Sequence, residues 1–229
     1  MPRSKDARAA TLSVRLLGPV EVQVGGEPLA VDTRKAIALL AYVAVAGRSA
    51  PRESLAALLW PDSAEAQARG ALRRTLSVLN SGLGGSGLVV DRATVALDSD
   101  IVDLDLDRFR TVLAEARDHG HPLRQPCERC RSSLVEAVAL ARGPFMDGFV
   151  LRDNELFDEW LTAEREAHQR ELAGALERLV AEQLASGAWD MAISAARRWL
   201  ELDSLHEPAH RALMEAHARA GEIAAAVQG

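Results

Sequence analysis

Two short segments of this sequence hold the side chains best suited to chemistry. The first is His119-Gly120-His121, followed after five residues by Cys127-Glu128-Arg129-Cys130, and it contains both cysteines of the chain. A Cys-x-x-Cys pair has the spacing of one half of a tetrahedral zinc shell, and two imidazoles complete the nitrogen and sulfur set that zinc prefers. His119, His121, Cys127 and Cys130 are therefore candidate ligands of a closed, structural zinc site with no catalytic role. Such an ion would supply local folding energy to a polar, Pro-containing stretch between helices. Two plainer readings stand beside it. The four residues can be surface groups without a role, or the cysteines can be a redox pair at a helix start, though without the strand context of thioredoxin-like folds.

The second segment runs from Gln67 to Ser81. Leu72, Leu76, Leu79 and Leu83 recur at steps of three and four, which predicts a helix from about Ala64 to Ser81 with one apolar face. A turn of about 100 degrees per residue then puts Gln67, Gly70, Arg73, Arg74, Ser77 and Ser81 on the opposite arc. That arc is small, polar and cationic. It suits a helix that enters the major groove, where Arg binds guanine edges or phosphates and Gly70 lets the duplex come close. Arg69 on the same helix joins Arg73 and Arg74 as a residue that DNA binding would require. A solvated helix face is the bland alternative for any one of these arginines.

The elements that must carry these residues can be read from both sides. Leu12 to Val31 alternates apolar and polar residues and is broken by Gly18-Pro19 and Gly25-Gly26, a strand and turn signature. Thr33 can cap a helix that runs to Gly47, and Ser49-Ala50-Pro51 opens a short second helix that Trp60-Pro61 ends. After the long third helix and the loop Gly82 to Gly87, Leu88 to Leu97 reads as two short strands turning near Asp91 and Arg92. Small sheet, three helices and hairpin is the order of a winged helix-turn-helix. Arg92, at the hairpin tip, is then placed like a wing residue that reaches a phosphate or the adjacent minor groove.

From Val102 onward strand signals disappear, and Asp103, Asp105 and Asp107 read as a solvated run leading into a helix through Phe109, Val112 and Leu113. Further helices are predicted over Ser132 to Ala141 and from about Glu155 to Ser186. Gly187 and Gly221 lie 34 residues apart, an offset that also aligns Ala192 with Ala226 and Ile193 with Val227. That is the tetratricopeptide period, in which Gly permits a close turn and Ala permits close packing; an ordinary helical hairpin in an Ala-rich chain is the alternative.

Composition sets the outer bounds. The 229 residues, 48% hydrophobic and 26% charged, suit two soluble domains with their own cores, with disorder expected only at the ends. The longest apolar run, Ala36 to Ala46, is well short of the roughly 18 to 20 residues that cross a bilayer, and residues 1 to 10 lack the apolar core of a signal peptide. No membrane partner is expected, and a cytoplasmic protein is. The net charge of −6 hides an asymmetry: residues 1 to 97 hold 12 Lys and Arg against 8 Asp and Glu, while residues 98 to 229 hold 15 against 25. The cationic part suits a polyanion and the acidic part does not. An enzyme is not expected. The Gly82 to Gly87 loop is followed by Leu88 and Val89 rather than by Lys and Ser or Thr, so it lacks the groups of a phosphate-binding loop, and no Ser, His and acid grouping stands out.

The run Leu16-Leu17-Gly18-Pro19-Val20, then Arg34-Lys35, Leu58-Leu59-Trp60-Pro61-Asp62, Ala68-Arg69, Leu72-Arg73-Arg74 and Leu76-Ser77, resembles the DNA-binding domain of the Streptomyces antibiotic regulatory protein (SARP) family, a winged helix of the response-regulator type. Arg142 to Phe149 and Phe157 to Arg165, with the helical repeat, are similar to the bacterial transcriptional activator domain that follows it in that family. The resemblance implies a mainly α fold, with a winged-helix DNA-binding domain over 11–98 after a disordered 1–10, and an all-α, tetratricopeptide-like activator domain over 99–229. It implies binding to direct repeats in double-stranded promoter DNA, contact with RNA polymerase, and a homodimer. Arg34, Lys35, Gln67, Arg69, Arg73, Arg74, Ser77 and Arg92 are the candidate DNA-binding residues. The third helix continues as Val78-Leu79-Asn80-Ser81-Gly82, where relatives often carry further basic residues, and a scaffold that does not bind DNA is the competing function. Because Ala224 to Val227 reads as mid-helix, the chain is expected to be the amino-terminal part of a larger regulator.

Overall fold

Leu12, Val14 and Leu16 are buried while Ser13 and Arg15 between them are only partly covered, and this alternation produces strand β1 (Leu12–Arg15) in a computed structural model that describes residues 12–29, 33–47, 49–120 and 126–221. The expected disorder of residues 1 to 10, His121, and the repeat positions Ala226 and Val227 lie outside the described residues. The chain divides into two compact units. The first comprises Met1–Leu106 and Phe145–Arg165, and the second Asp107–Pro144 and Glu166–Gly229.

In the first unit, β1 pairs antiparallel with β2 (Glu21–Val24), which pairs with the short β3 (Glu27–Pro28). Helix α1 (Arg34–Val45) follows, with Ala36, Ala38, Leu39, Leu40, Ala41, Val43 and Ala44 buried, so that it is enclosed on most sides. Strand β4 (Ser49–Pro51), helix α2 (Arg52–Leu59) and helix α3 (Glu65–Gly82) come next, then β5 (Leu88–Val90) and β6 (Thr94–Leu97). The hairpin expected over Leu88 to Leu97 is thus present. A second sheet has the order β4-β6-β5, with Ala50 opposite Val95. Gly87, at φ +93°, brings the chain from α3 against the first sheet: a Cβ there would stand 2.9 Å from a methyl of Leu12.

Two strands depart from the sequence reading. Ser49-Ala50-Pro51 forms β4 rather than the opening of a helix, because its partner β6 comes from more than 40 residues away and leaves no local signature. Val102–Leu104 is strand β7, parallel to β1 in the order β3-β2-β1-β7. Helix α4 (Asp105–Asp118) starts directly after it. Asp105 is not solvated as expected but 2% exposed. Its carboxylate accepts the backbone N–H groups of Leu16 and Leu17, each at 2.9 Å, at the point where β1 ends and those amides have no strand partner.

Residues 145–165 complete this unit. Met146 and Asp147 donate their backbone N–H groups to Leu16 and Gly18 at 2.8 and 2.9 Å, and Arg165 donates to the carbonyls of Phe145 and Met146. Asn154 caps the amide of Phe157 at the start of α6 (Glu155–Ser186) and donates to the Leu58 carbonyl. Trp160 packs its ring at 5.3 Å from Tyr42 and 5.1 Å from Phe157.

The second unit is helical. Phe109, Val112, Leu113 and Ala116 of α4, Leu134, Ala137 and Val138 of α5 (Glu128–Leu140), and Leu172, Leu176, Leu179 and Val180 of α6 are buried. Helix α5 begins a turn earlier than its apolar pattern suggests, since Glu128 and Arg131 form a pair in its first turn. Gly187, at φ +76°, ends α6 and allows the turn into α7 (Trp189–Leu202), which packs on α8 (Glu207–Arg219) before Gly221, also left-handed at φ +83°.

Candidate functional site

Helix α3 is built as its periodicity requires. Ala68, Leu72, Leu76 and Leu79 are buried, and Gln67, Arg69, Arg73, Arg74, Ser77 and Ser81 are exposed on the other side. Burial of the leucines, about 1.5 to 3 kcal/mol each, fixes the rotation of the helix and therefore the direction of the arginines. Arg69 pairs with Glu65 one turn earlier. The heads of Arg73, Arg74 and Arg92 are in no ion pair or hydrogen bond among the described residues. Gly70 answers no internal need: a Cβ there would meet only the tip of Arg74 at 3.7 Å.

The hairpin tip is held by Asp91, whose carboxylate accepts the backbone N–H groups of Ala93 and Thr94 at 2.7 and 2.6 Å and the Thr94 hydroxyl at 2.9 Å. Hydrogen bonds from the Thr94 and Ala93 amides hold this carboxyl below its ordinary pKa, because they favour its charged form. Arg92 projects from that turn, exposed. A groove of about 500 Å³ lies between α3 and the hairpin, lined by Arg52, Glu53, Arg69, Arg73 and Arg92, with Leu72 among its apolar residues. Arg52, which donates to the Asp91 carbonyl at 3.3 Å, is the residue the sequence reading missed. It stands at the start of α2, and only the β4–β6 pairing carries it to the hairpin.

Arg34 and Lys35, the other two candidates, lie on α1 with their charged heads used inside the unit. The Arg34 guanidinium donates to the Val150 carbonyl at 2.7 Å and sits over the Phe149 ring. The Lys35 ammonium donates to the Leu59 carbonyl at 2.7 Å and lies 4.9 Å from the Trp60 ring centre, and burial lowers its pKa. The structure does not bring these two to the α3 groove.

A separate cluster lies in the second unit. His119, just past the end of α4, places its Nδ1 3.3 Å from the Sγ of Cys127 and 3.3 Å from the Sγ of Cys130. The three ligand atoms all lie within 4.8 Å of one another. Cys127 is the residue before α5 and Cys130 is in its first turn, so the cysteines share one side of a helix start; both are thiols. Burial, then the Cys127 thiol beside it, pushes the Cys130 pKa up. His119, Cys127 and Cys130 are thus brought together, while His121 lies outside the described residues.

Residues 104–229 match the family described as the bacterial transcriptional activator domain, and the chain belongs to that family. The solved structure of Mycobacterium tuberculosis EmbR in complex with a low-affinity phosphopeptide has the same fold, with a TM-score of 0.69 at 22% identity. That likeness covers 95% of this chain and 57% of the EmbR chain, so the present chain spans little more than half the length of that protein. No curated protein sequence matches the chain. Among the described residues, no helix is long and apolar enough to cross a membrane.

Proposed function

We propose that this regulator activates transcription by binding repeated sites in promoter DNA through α3, with the β5–β6 hairpin on the adjoining backbone, and by contacting RNA polymerase, as a homodimer. The observation that carries the reading is the groove in which Arg52, Arg69, Arg73 and Arg92 converge from α2, α3 and the hairpin. Glu53 lines the same cleft and Glu65 pairs with Arg69, which leaves an excess of guanidinium charge that suits a phosphate chain. Gln67, Arg73, Arg74 and Ser77 face the base edges in this arrangement, and Arg52 and Arg92 hold phosphates, which sets register without reading sequence. No catalytic step is part of it.

The test is enrichment of duplexes from a random pool by the purified chain at two salt concentrations. The expected result is a repeated motif whose affinity falls steeply as salt rises, since each neutralised phosphate contributes about 0.9 to the slope of log K against log salt. Reversing the charge at Arg73 and Arg74 should abolish the enrichment. Unaltered binding by that double variant at moderate salt would overturn the assignment of α3, and no enrichment by the wild type at low salt would favour a scaffold that holds a protein partner.

A further inference from the structure

The cluster in the second unit plays no part in the DNA-binding reading and stands or falls apart from it. We propose that His119, Cys127 and Cys130 form a structural zinc site that fastens the end of α4 to the start of α5. Zinc sits about 2.3 Å from thiolate sulfur and about 2.0 Å from imidazole nitrogen in tetrahedral sites, so ligand atoms on one ion are separated by about 3.5 to 3.8 Å. The two His119–cysteine separations of 3.3 Å are within a few tenths of an ångström of that, and all three ligand atoms fall within 4.8 Å.

The donor set selects the metal. Two thiolates and an imidazole are soft and borderline ligands that favour zinc over magnesium or calcium, whose oxygen ligands are missing from the cluster. A cluster of iron and sulfide held by four cysteines is excluded because the chain has two. The site stands on these three ligands, and solvent can fill the fourth position.

The surroundings orient the ligands. The Cys127 amide donates to Glu182 of α6 at 3.4 Å, and Arg131 lies 3.7 Å from the same carboxylate, which is almost fully buried. Cys130 points its Sγ at the Ala116 carbonyl at 3.6 Å, and that carbonyl also takes a hydrogen bond from Arg178 at 2.7 Å. Both cysteines are thus set against α4 and α6 before any ion arrives. Binding releases the two thiol protons to solvent and forms two Zn–S bonds and one Zn–N bond, with no change in oxidation state.

The experiment titrates the reduced, chelator-treated full chain with Co²⁺ and then displaces it with Zn²⁺. One Co²⁺ per chain is expected, with a thiolate-to-cobalt charge-transfer band and the visible bands of tetrahedral cobalt, both abolished by zinc. Cys127→Ser with Cys130→Ser should lose the band, and His119→Ala should keep it while binding about tenfold more weakly or worse. Because Cys130 is buried and its replacement can unfold the unit, a second measurement uses the wild-type chain: alkylation of Cys127 should slow about tenfold or more when zinc is added. Absence of the charge-transfer band in the reduced wild type overturns the proposal. So does undiminished binding by the double serine variant, or a Cys127–Cys130 disulfide that forms equally fast with and without zinc.

Discussion

Asp105 shows how much one side chain can hold in place. Its buried carboxylate satisfies two backbone amides at the end of β1, and burial raises its pKa against the lowering effect of those same bonds. Asp105→Ala leaves both donors unsatisfied, and a loss of about 2 to 4 kcal/mol is expected, measured by urea unfolding. Asp105→Asn keeps one acceptor oxygen and should lose clearly less. His168 makes the opposite case. It is buried against the edge of Phe109, neither ring nitrogen has a partner among the described residues, and burial together with Arg110 lowers its pKa to about 4. The unfolded chain takes up that proton near 6.5, so between about pH 6.5 and 4 it binds more protons than the folded chain and stability falls as the pH falls. His168→Leu should remove this loss: relative to the wild type, the variant gains about 2 to 3 kcal/mol between pH 7 and about pH 4.5. Parallel pH dependence in the two proteins would show that His168 is not the group responsible. Neither residue announced itself in the sequence, since Asp105 stood in an alternating acidic run and His168 on a polar stretch of a long helix.

Among the elements, α3 was readable because one face of a helix is reported by its own periodicity. Ala68, Leu72, Leu76 and Leu79 needed no distant partner to be recognised, and the exposed arc followed from them. Gly70 gives the sharpest test of that arc. Nothing internal forbids a methyl there, so Gly70→Ala should stabilise the unit by up to about 1 kcal/mol through helix propensity, yet weaken DNA binding if the duplex comes against this point. Thermal denaturation and a binding titration on the same sample read both effects, and unchanged affinity would remove Gly70 from the interface. Arg52 supplies a second test. Arg52→Ala should lower affinity similarly for all sequences and reduce the salt slope by about 1, because its expected contact is with phosphate. The short strands were not legible. Three residues such as Ser49–Pro51 or Val102–Leu104 carry too little pattern, and each is a strand only because β6 or β1 offers a row of unpaired amides and carbonyls.

At the scale of the molecule, the first unit takes its core from two separated stretches of chain. Phe145, Met146, Phe157 and Leu161 are each at most 2% exposed, and at about 1.5 to 3 kcal/mol apiece their burial is comparable with the whole stability of an ordinary domain. A chain truncated at Leu106 should therefore lack a cooperative thermal transition in calorimetry, while the full chain shows one. A transition in the truncated chain near that of the full chain would mean that residues 145–165 decorate the unit rather than complete it. The expected boundary near residue 98 followed the change of charge and the end of strand patterning, both of which are properties of the linear sequence. The Phe145–Arg165 segment belongs with the first unit through bonds and ring contacts that span more than 100 residues.

Read alone, the sequence determined the helices, the buried face of α3, the hairpin and the order of elements that marks a winged helix followed by a helical domain. Each depends on local spacing, where a residue and its neighbours three or four positions away share one environment. Tertiary structure alone decided which charges remain available. Arg34 and Lys35 are drawn into carbonyl and aromatic contacts, whereas Arg52 is carried to the groove of Arg69, Arg73 and Arg92. It also set His119 against Cys127 and Cys130, which a count of residues between them could suggest but not establish. A side chain's charge is written in the sequence; whether a partner already occupies it depends on segments that meet only when the chain has folded.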